Sequence, residues 1–114
     1  MKKYFIALVI GTLAISGLAR ADELVVAGAG TMSCGKYVAA SVDKALASVL
    51  GSWAQGYLSG LNMLEHDGRG KPFRALPDYE TIDLYIVKYC RDHPLSYPYV
   101  GAQDMFEALP VVSK

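Results

Sequence analysis

The stretch that decides the fold is SWAQGYLSGLNML, residues 52–64. Between residues 49 and 64, large apolar side chains recur at steps of three and four residues, which places them on one side of a helix. They are Val49, Leu50, Trp53, Tyr57, Leu61 and Leu64. A row of small residues, the small-residue seam, runs along a neighbouring face at Ser52, Gly56 and Gly60. Because each helical glycine costs about 0.5–1 kcal/mol relative to alanine, we predict that another backbone packs closely on this helix-packing seam.

The first residues have the form of a secretory signal. Two lysines precede an uncharged, mostly apolar run over 4–18, and Ala19 and Ala21 supply the small residues that a signal peptidase reads. We expect cleavage before Asp22, with 1–21 as the signal peptide. The apolar run is shorter than the roughly 20 residues that a membrane-spanning helix needs. The sequence therefore predicts a periplasmic protein with no membrane contact after cleavage.

The remaining chain, 22–114, reads as one small domain. It carries 8 basic and 11 acidic side chains, a net charge of −3 with neutral histidines. The charges are scattered without a basic run, which argues against binding to nucleic acid or to an anionic membrane. The length is near the lower limit for a self-supporting core. We predict a flexible arm over 22–32, a helical domain over 33–110 and a tail over 111–114.

The chain contains two cysteines, Cys34 and Cys90. An even count in a small exported protein predicts a disulfide, since the compartment is oxidising and the core is small. Closing a loop of this length stabilises the fold by roughly 4 kcal/mol on the chain-entropy model. A small domain has only about 5–15 kcal/mol in total. We therefore expect this bond to supply a large fraction of the stability.

Capping signals divide the domain into four helices and no strands, an all-α single-domain bundle with one disulfide. Serine, threonine and aspartate stand where a first turn needs a side-chain acceptor, and the third helix has acids near its start and bases near its end. Gly51 indicates a kink or a break in the second helix. The predicted helices cover about residues 34–41, 43–66, 78–93 and 99–109, with Pro98 at the first turn of the last one.

Two inward-facing stripes follow from the spacing of the later helices. The third helix offers Ile82, Tyr85, Ile86, Tyr89, Cys90 and His93, and the fourth offers Ala102, Met105, Phe106 and Leu109. In the second helix, Gln55 and Asn62 are expected on the solvent side, with a buried hydrogen-bonding role as the alternative for Asn62.

No catalytic constellation emerges from the sequence. The helical serines lack a GxSxG elbow, and His66 and His93 belong to no HExxH motif. Acids near the start of the third helix are what the helix dipole favours. We therefore expect no enzyme, no metal site and no cofactor. The late tyrosines, at 85, 89, 97 and 99, form either a core edge with wet hydroxyls or a protein-binding patch.

Three segments, SCGKYV at 33–38, SWAQGY at 52–57 and VKYCRDHP at 87–94, resemble the HdeA/HdeB family of small periplasmic acid-stress chaperones. The resemblance covers about residues 33–109. It implies a compact helical domain whose one disulfide corresponds to Cys34–Cys90. It also implies a stress-response protein that opens in acid and binds unfolding client proteins.

Charge supports acid opening, because protonation of the 11 acids near pH 2 leaves the basic side chains and histidines unopposed at +10. The predicted client-binding residues are Trp53, Tyr57, Leu61, Ile86 and Phe106. Two alternatives remain open. The GYLSG segment is also similar to Tai-like immunity proteins of type VI secretion, which implies binding and inhibition of a toxin. A structural or interaction module without chaperone activity is the other. A homodimer through the small-residue seam or the tyrosine cluster fits all three.

Overall fold

The structure is a computed structural model that describes residues 26–113. The predicted signal peptide, 1–21, lies outside the described residues, as do 22–25 and Lys114. The described chain is all-α, as predicted, and its regular elements pack as four helices. In chain order the elements are a 3₁₀ turn at Ala29–Thr31, α1 at Cys34–Ala40, α2 at Lys44–Met63 with a π-helical turn at Leu64–Gly68, α3 at Tyr79–Asp92 and α4 at Pro98–Ala108.

Local capping chemistry sets the helix starts and confirms the prediction. Ser33, Asp43 and Asp78 each accept a hydrogen bond from a backbone N–H of the following first turn, at 3.3, 2.9 and 2.8 Å. Such bonds satisfy donors that have no partner inside the helix. Pro98 is the first residue of α4, where its missing N–H costs nothing.

The predicted break at Gly51 is absent, because α2 is one continuous helix. Gly51 is buried beneath the Tyr79 ring at the start of α3. A Cβ atom at position 51 would lie 2.2 Å from Cδ2 of Tyr79. The glycine therefore serves close contact between α2 and α3.

The buried face of α2 is rotated from the one that the large residues predict. Leu50, Ala54 and Leu58 are buried, whereas Val49 is 61% exposed and Leu64 is 54% exposed. Trp53, Tyr57 and Leu61 pack against the core from its margin and are only partly buried. The spacing of large side chains misses this face because its centre is the small residue Ala54, where close helix contact needs little volume.

The small-residue seam has no packing partner within the described residues, so close packing on it stays a prediction. Ser52, Gly56 and Gly60 are all exposed. A Cβ atom at either glycine would meet nothing within 4 Å. The close approach occurs instead at Gly51 and Ala54, on the neighbouring face.

The predicted stripes on α3 and α4 are largely confirmed. In α3, Ile82, Ile86 and Cys90 are buried, and so is Val87, which the prediction omitted. His93 is exposed rather than inward, because α3 ends at Asp92 and the chain leaves the helix at the next residue. In α4 the buried apolar residues include Ala102, Met105 and Phe106, with Leu109 partly buried at the end.

The predicted disulfide is present. Cys34 and Cys90 are bonded, with their Cα atoms 4.8 Å apart, and both are buried. The bond ties the first residue of α1 to the last full turn of α3. Beside it, the buried Tyr37 donates a hydrogen bond from its hydroxyl to Asp83, at 3.1 Å, so a second link joins the same two helices.

The backbone of the segment between α2 and α3 is held by hydrogen bonds on both sides. Asn62 donates to the carbonyl of Arg74 and accepts from its N–H, both at 2.9 Å. Asn62 therefore has the hydrogen-bonding role rather than the solvent role that we expected first. On the other side, the predicted tail pairs back on this segment, since Val112 N–H donates to the Phe73 carbonyl at 2.8 Å.

We predict opposite effects for alanine at two glycines of α2. Gly51→Ala should lower the free energy of unfolding by about 1–3 kcal/mol, because the new methyl group overpacks the Tyr79 contact. Gly56→Ala should raise it by up to about 1 kcal/mol, because only helix propensity changes there. Urea denaturation followed by circular dichroism measures both. Equal stability of the two variants would contradict the packing described for Gly51.

Candidate functional site

The candidate site is an apolar surface on α2 that carries three of the five predicted client-binding residues. The rings of Trp53 and Tyr57 stack with centroids 5.1 Å apart and planes at 14°. Leu61 follows one turn later, and all three are partly buried. The helical spacing of four residues brings them onto one line, as predicted.

The other two predicted residues are not on this surface in the folded state. Ile86 is fully buried in the core on α3. Phe106 is 6% exposed, and it lines a neighbouring cleft together with Leu61. The structure thus aligns Trp53, Tyr57 and Leu61 on α2, places Phe106 with Leu61 in the cleft lining, and leaves Ile86 apart.

A short segment, residues 27–31, lies across Trp53, and we call it the amino-terminal strap. The indole Nε1 of Trp53 donates a hydrogen bond to the carbonyl oxygen of Ala27, at 2.9 Å. A Cβ atom at Gly30 would lie 1.8 Å from Cη2 of the same indole. Gly28 has a φ of 89°, a conformation that favours glycine. The described part of the predicted flexible arm is therefore packed, and its glycines permit the contact.

Tyr57 connects this surface to α4. Its hydroxyl accepts a hydrogen bond from Nε2 of Gln103, at 2.9 Å. Partial burial raises the pKa of the Tyr57 hydroxyl, so the group stays protonated and neutral at physiological pH. The Tyr57 ring is thus held by stacking on Trp53 and by the hydrogen bond from Gln103 to its hydroxyl.

Beyond Leu61 the surface opens into a cleft of about 460 Å³ between the end of α2 and α4, which we call the basic cleft. Its volume is within the range of about 300–1,000 Å³ found for ligand sites. Its lining combines two leucines and a phenylalanine with charged side chains. The lining residues are Leu61, Leu64, Glu65, Arg69, Lys71, Arg74, Gln103, Phe106 and Glu107.

Arg74 is the most firmly held cation of the basic cleft. Its Nη1 donates to the carbonyl oxygens of Glu107 and Leu109, at 3.0 and 2.8 Å. Its guanidinium carbon lies 5.2 Å from the centroid of the Phe106 ring, within the range of a cation–π contact. These contacts and the two backbone hydrogen bonds to Asn62 fix the position of the side chain and of its backbone.

Glu65 sits between the other two cations of the cleft. Its carboxylate pairs with Lys71 at 2.7 Å and with Arg69 at 2.6 Å. The hydrogen bond from Lys71, followed by the two positive charges, lowers the pKa of Glu65. The carboxylate is therefore ionised at neutral pH and partly offsets the charge of its neighbours.

Two further carboxylates have lowered pKa values and lie at helix ends. The backbone N–H of Thr81 lowers the pKa of Asp78 at the start of α3, and Lys88 lowers the pKa of Asp92 at its end. Asp83 differs, because burial beside Tyr37 raises its pKa. Burial and the negative charge of Asp83 also raise the pKa of Tyr37.

The remaining candidate residues make structural contacts. His66 stacks on Phe73 with centroids 3.8 Å apart, and His93 stacks on Tyr89 at 4.3 Å. Among residues 26–113, no group of three or more His, Cys, Asp or Glu side chains is placed to hold a metal ion. In the same part of the chain, no helix is both long enough and apolar enough to cross a membrane.

The late tyrosines do not act as one cluster. Tyr97 and Tyr99 stack with centroids 5.9 Å apart. Tyr85 donates to Asp104 at 2.7 Å, and this hydrogen bond raises its pKa. The hydroxyls of Tyr89 and Ser96 lie 3.2 Å apart. The first of the two readings, a core edge with polar tips, describes Tyr85 and Tyr89, while Tyr97 is 45% exposed.

Sequence reasoning missed Arg74 and Gln103. Arg74 stands in KPFRALP, which carries only the signal of a proline-stiffened linker. Its partners at 107 and 109 are more than thirty residues away along the chain, so no local pattern announces them. The nearest signal was Asn62, a lone amide near the end of a helix with no charge between Ala45 and Leu64.

Comparisons of the chain with protein-family models, with curated proteins and with solved structures return no match. Function is therefore inferred from the geometry of the surface, the strap and the cleft.

We predict that Gly30→Ala displaces the amino-terminal strap, because a methyl group has no room against the indole. Trp53 is the only tryptophan, so its fluorescence reports the change directly. The emission maximum should shift to longer wavelength, and quenching by acrylamide should increase. Gly35→Ala is the matched control, since a Cβ atom there meets nothing within 4 Å. Identical spectra for the two variants would contradict the contact between strap and indole.

Proposed function

We propose that this protein is an exported, periplasmic chaperone that binds unfolding proteins at low pH and has no enzymatic activity. The observation that carries the proposal is the covered apolar surface. Trp53, Tyr57 and Leu61 are already aligned on α2, and a five-residue strap with two glycines lies across the first of them. Loosening of the strap exposes Trp53 at one end of this surface, and further opening adds the buried Ile86 and Phe106.

The carboxylates give the proposal its pH dependence. Glu65, Asp78 and Asp92 have lowered pKa values in the fold. Their contribution to stability is complete above the unfolded pKa values near pH 4, and it is lost as the pH falls through their lower folded values. Asp83 has a raised pKa and acts in the opposite direction. Three groups thus favour opening in acid and one opposes it.

The disulfide is consistent with the proposed periplasmic location and with an opened state that stays compact. A Cys34–Cys90 bond fits an oxidising compartment such as the periplasm. Because it is covalent, it also survives acid and keeps α1 joined to α3 when other contacts are lost. The opened chain then stays compact while its charge rises, which favours a soluble complex with a client.

A light-scattering assay tests the function. A client that aggregates at pH 2–3 should aggregate less when this protein is present in excess, and the same protein should have no effect at pH 7. The variant Trp53→Ser/Tyr57→Ser should lose most of the protection. Leu95→Ser is the matched control, since Leu95 is 97% exposed and lies outside the site. Equal aggregation with and without the unaltered protein would refute the proposal.

The pH dependence of stability gives a separate prediction. In the variant Glu65→Gln/Asp78→Asn/Asp92→Asn, the urea midpoint should fall less between pH 5 and pH 2 than in the unaltered protein, because three titrating groups are removed. Asp83→Asn should give a steeper fall, because it removes the group that gains protons more readily in the fold. Identical slopes in all three proteins would show that other groups control acid opening.

One observation favours the second candidate, an immunity protein that binds a type VI secretion toxin. The basic cleft is formed in the folded state and needs no acid to present its charges. This candidate predicts tight binding to one toxin at neutral pH and no effect on client aggregation in acid. Capture of a toxin from a type VI donor at pH 7 distinguishes the two. A homodimer through the small-residue seam stays a prediction.

A further inference from the structure

We propose that the basic cleft binds a peptide carboxylate, with the adjacent apolar side chain of the peptide seated against Leu61, Leu64 and Phe106. This proposal goes beyond the chaperone function and does not depend on it, because it concerns the folded protein at neutral pH. The ligand chemistry is a carboxylate beside an apolar group. Its source is either the carboxyl terminus of a peptide or a Glu or Asp side chain within one.

The charge of the cleft is opposite to that of the domain. Residues 26–113 contain seven lysines and arginines and nine acids. Three of those cations, Arg69, Lys71 and Arg74, line the basic cleft together with two carboxylates, Glu65 and Glu107. The local balance is one positive charge on an acidic molecule. A ligand with a single negative charge neutralises this local charge, whereas a dianion such as a phosphate monoester exceeds it and is repelled by the two glutamates.

Arg74 supplies the directional donors. Guanidinium has five N–H groups, and the two on Nη1 are used by the carbonyls of Glu107 and Leu109. Among the described residues, Nε and Nη2 donate to no protein acceptor, so three N–H groups remain for a ligand. Because stacking on Phe106 already fixes the side chain, binding costs little conformational entropy.

Lys71 and Arg69 are the adaptable cations. Both side chains are more than half exposed, and both form ion pairs with Glu65. The cationic ends of both pairs are exposed to solvent. Either side chain can therefore turn toward a carboxylate in the cleft while Glu65 keeps its place in the fold.

The apolar wall argues for a peptide over a small carboxylate ion. Leu61, Leu64 and Phe106 supply the apolar part of the cleft lining, and Leu64 is 54% exposed. An apolar side chain next to the carboxylate covers this wall. The cleft volume of about 460 Å³ exceeds what one carboxylate group fills.

Three fluorescent peptides test the proposal at pH 7 and low salt. The first is acetyl-Ala-Ala-Leu-Phe with a free carboxylate, the second is its terminal amide, and the third is acetyl-Ala-Glu-Leu-Phe amide. Fluorescence anisotropy should show at least tenfold tighter binding of the first or the third peptide than of the second. Preference for the first assigns the carboxyl terminus, and preference for the third assigns an acidic side chain. Equal affinity for all three, or no binding of any, would overturn the proposal.

Variants locate the binding. Arg74→Gln should weaken binding of the preferred peptide at least tenfold, and Arg74→Lys should restore only part of it, because lysine lacks the planar fork. Arg69→Gln/Lys71→Gln covers the case in which Arg74→Gln fails to fold, since both residues are exposed, and it should weaken binding several-fold. Lys88→Gln is the control, as its exposed ammonium pairs with Asp92 away from the cleft. Equal weakening by Lys88→Gln would show non-specific attraction and overturn the assignment.

Discussion

The disulfide between Cys34 and Cys90 is the constraint on which the rest of the structure depends. It joins α1, a helix of seven residues, to α3, and a helix that short does not hold together in water without outside contacts. Around the bond lie buried residues from every helix, among them Tyr37, Leu58 and Ile86. On the chain-entropy model the bond supplies roughly 4 kcal/mol of the about 5–15 kcal/mol typical of a small domain. Packing of the core needs to supply only the remaining part of the free energy of unfolding.

This division of stability has a functional consequence. With the cystine holding α1 on α3, the contacts at the margin of the core are free to be weak. The amino-terminal strap is held on Trp53 by one side-chain hydrogen bond and by shape, and the helix ends of α3 rely on exposed carboxylates. Weak margins around a covalent centre are consistent with the proposed opening in acid. The basic cleft is separate from this behaviour, since Arg74 and its partners form it within the folded state.

Local signals in the sequence predict the elements, while contacts between elements escape them. Asp43, Asp78 and Pro98 set helix starts through bonds within one turn, so their roles are readable from neighbouring residues. An apolar periodicity misses the contacts of Gly51 and Ala54, because small residues add nothing to it. Glycine is ambiguous: at Gly30 it permits close packing, although its context reads as a loose arm. The basic cleft cannot be predicted from local patterns, because Arg74 contacts residues that are distant in sequence.

The stability of the reduced protein tests the central claim most directly. Urea denaturation at pH 7, followed by circular dichroism, compares the oxidised protein with the same material after reduction, and with Cys34→Ser/Cys90→Ser. Reduction should lower the free energy of unfolding by roughly 4 kcal/mol, and the double variant should match the reduced protein. An unchanged unfolding midpoint after complete reduction would show that the helical core holds without its cystine, and would contradict the account.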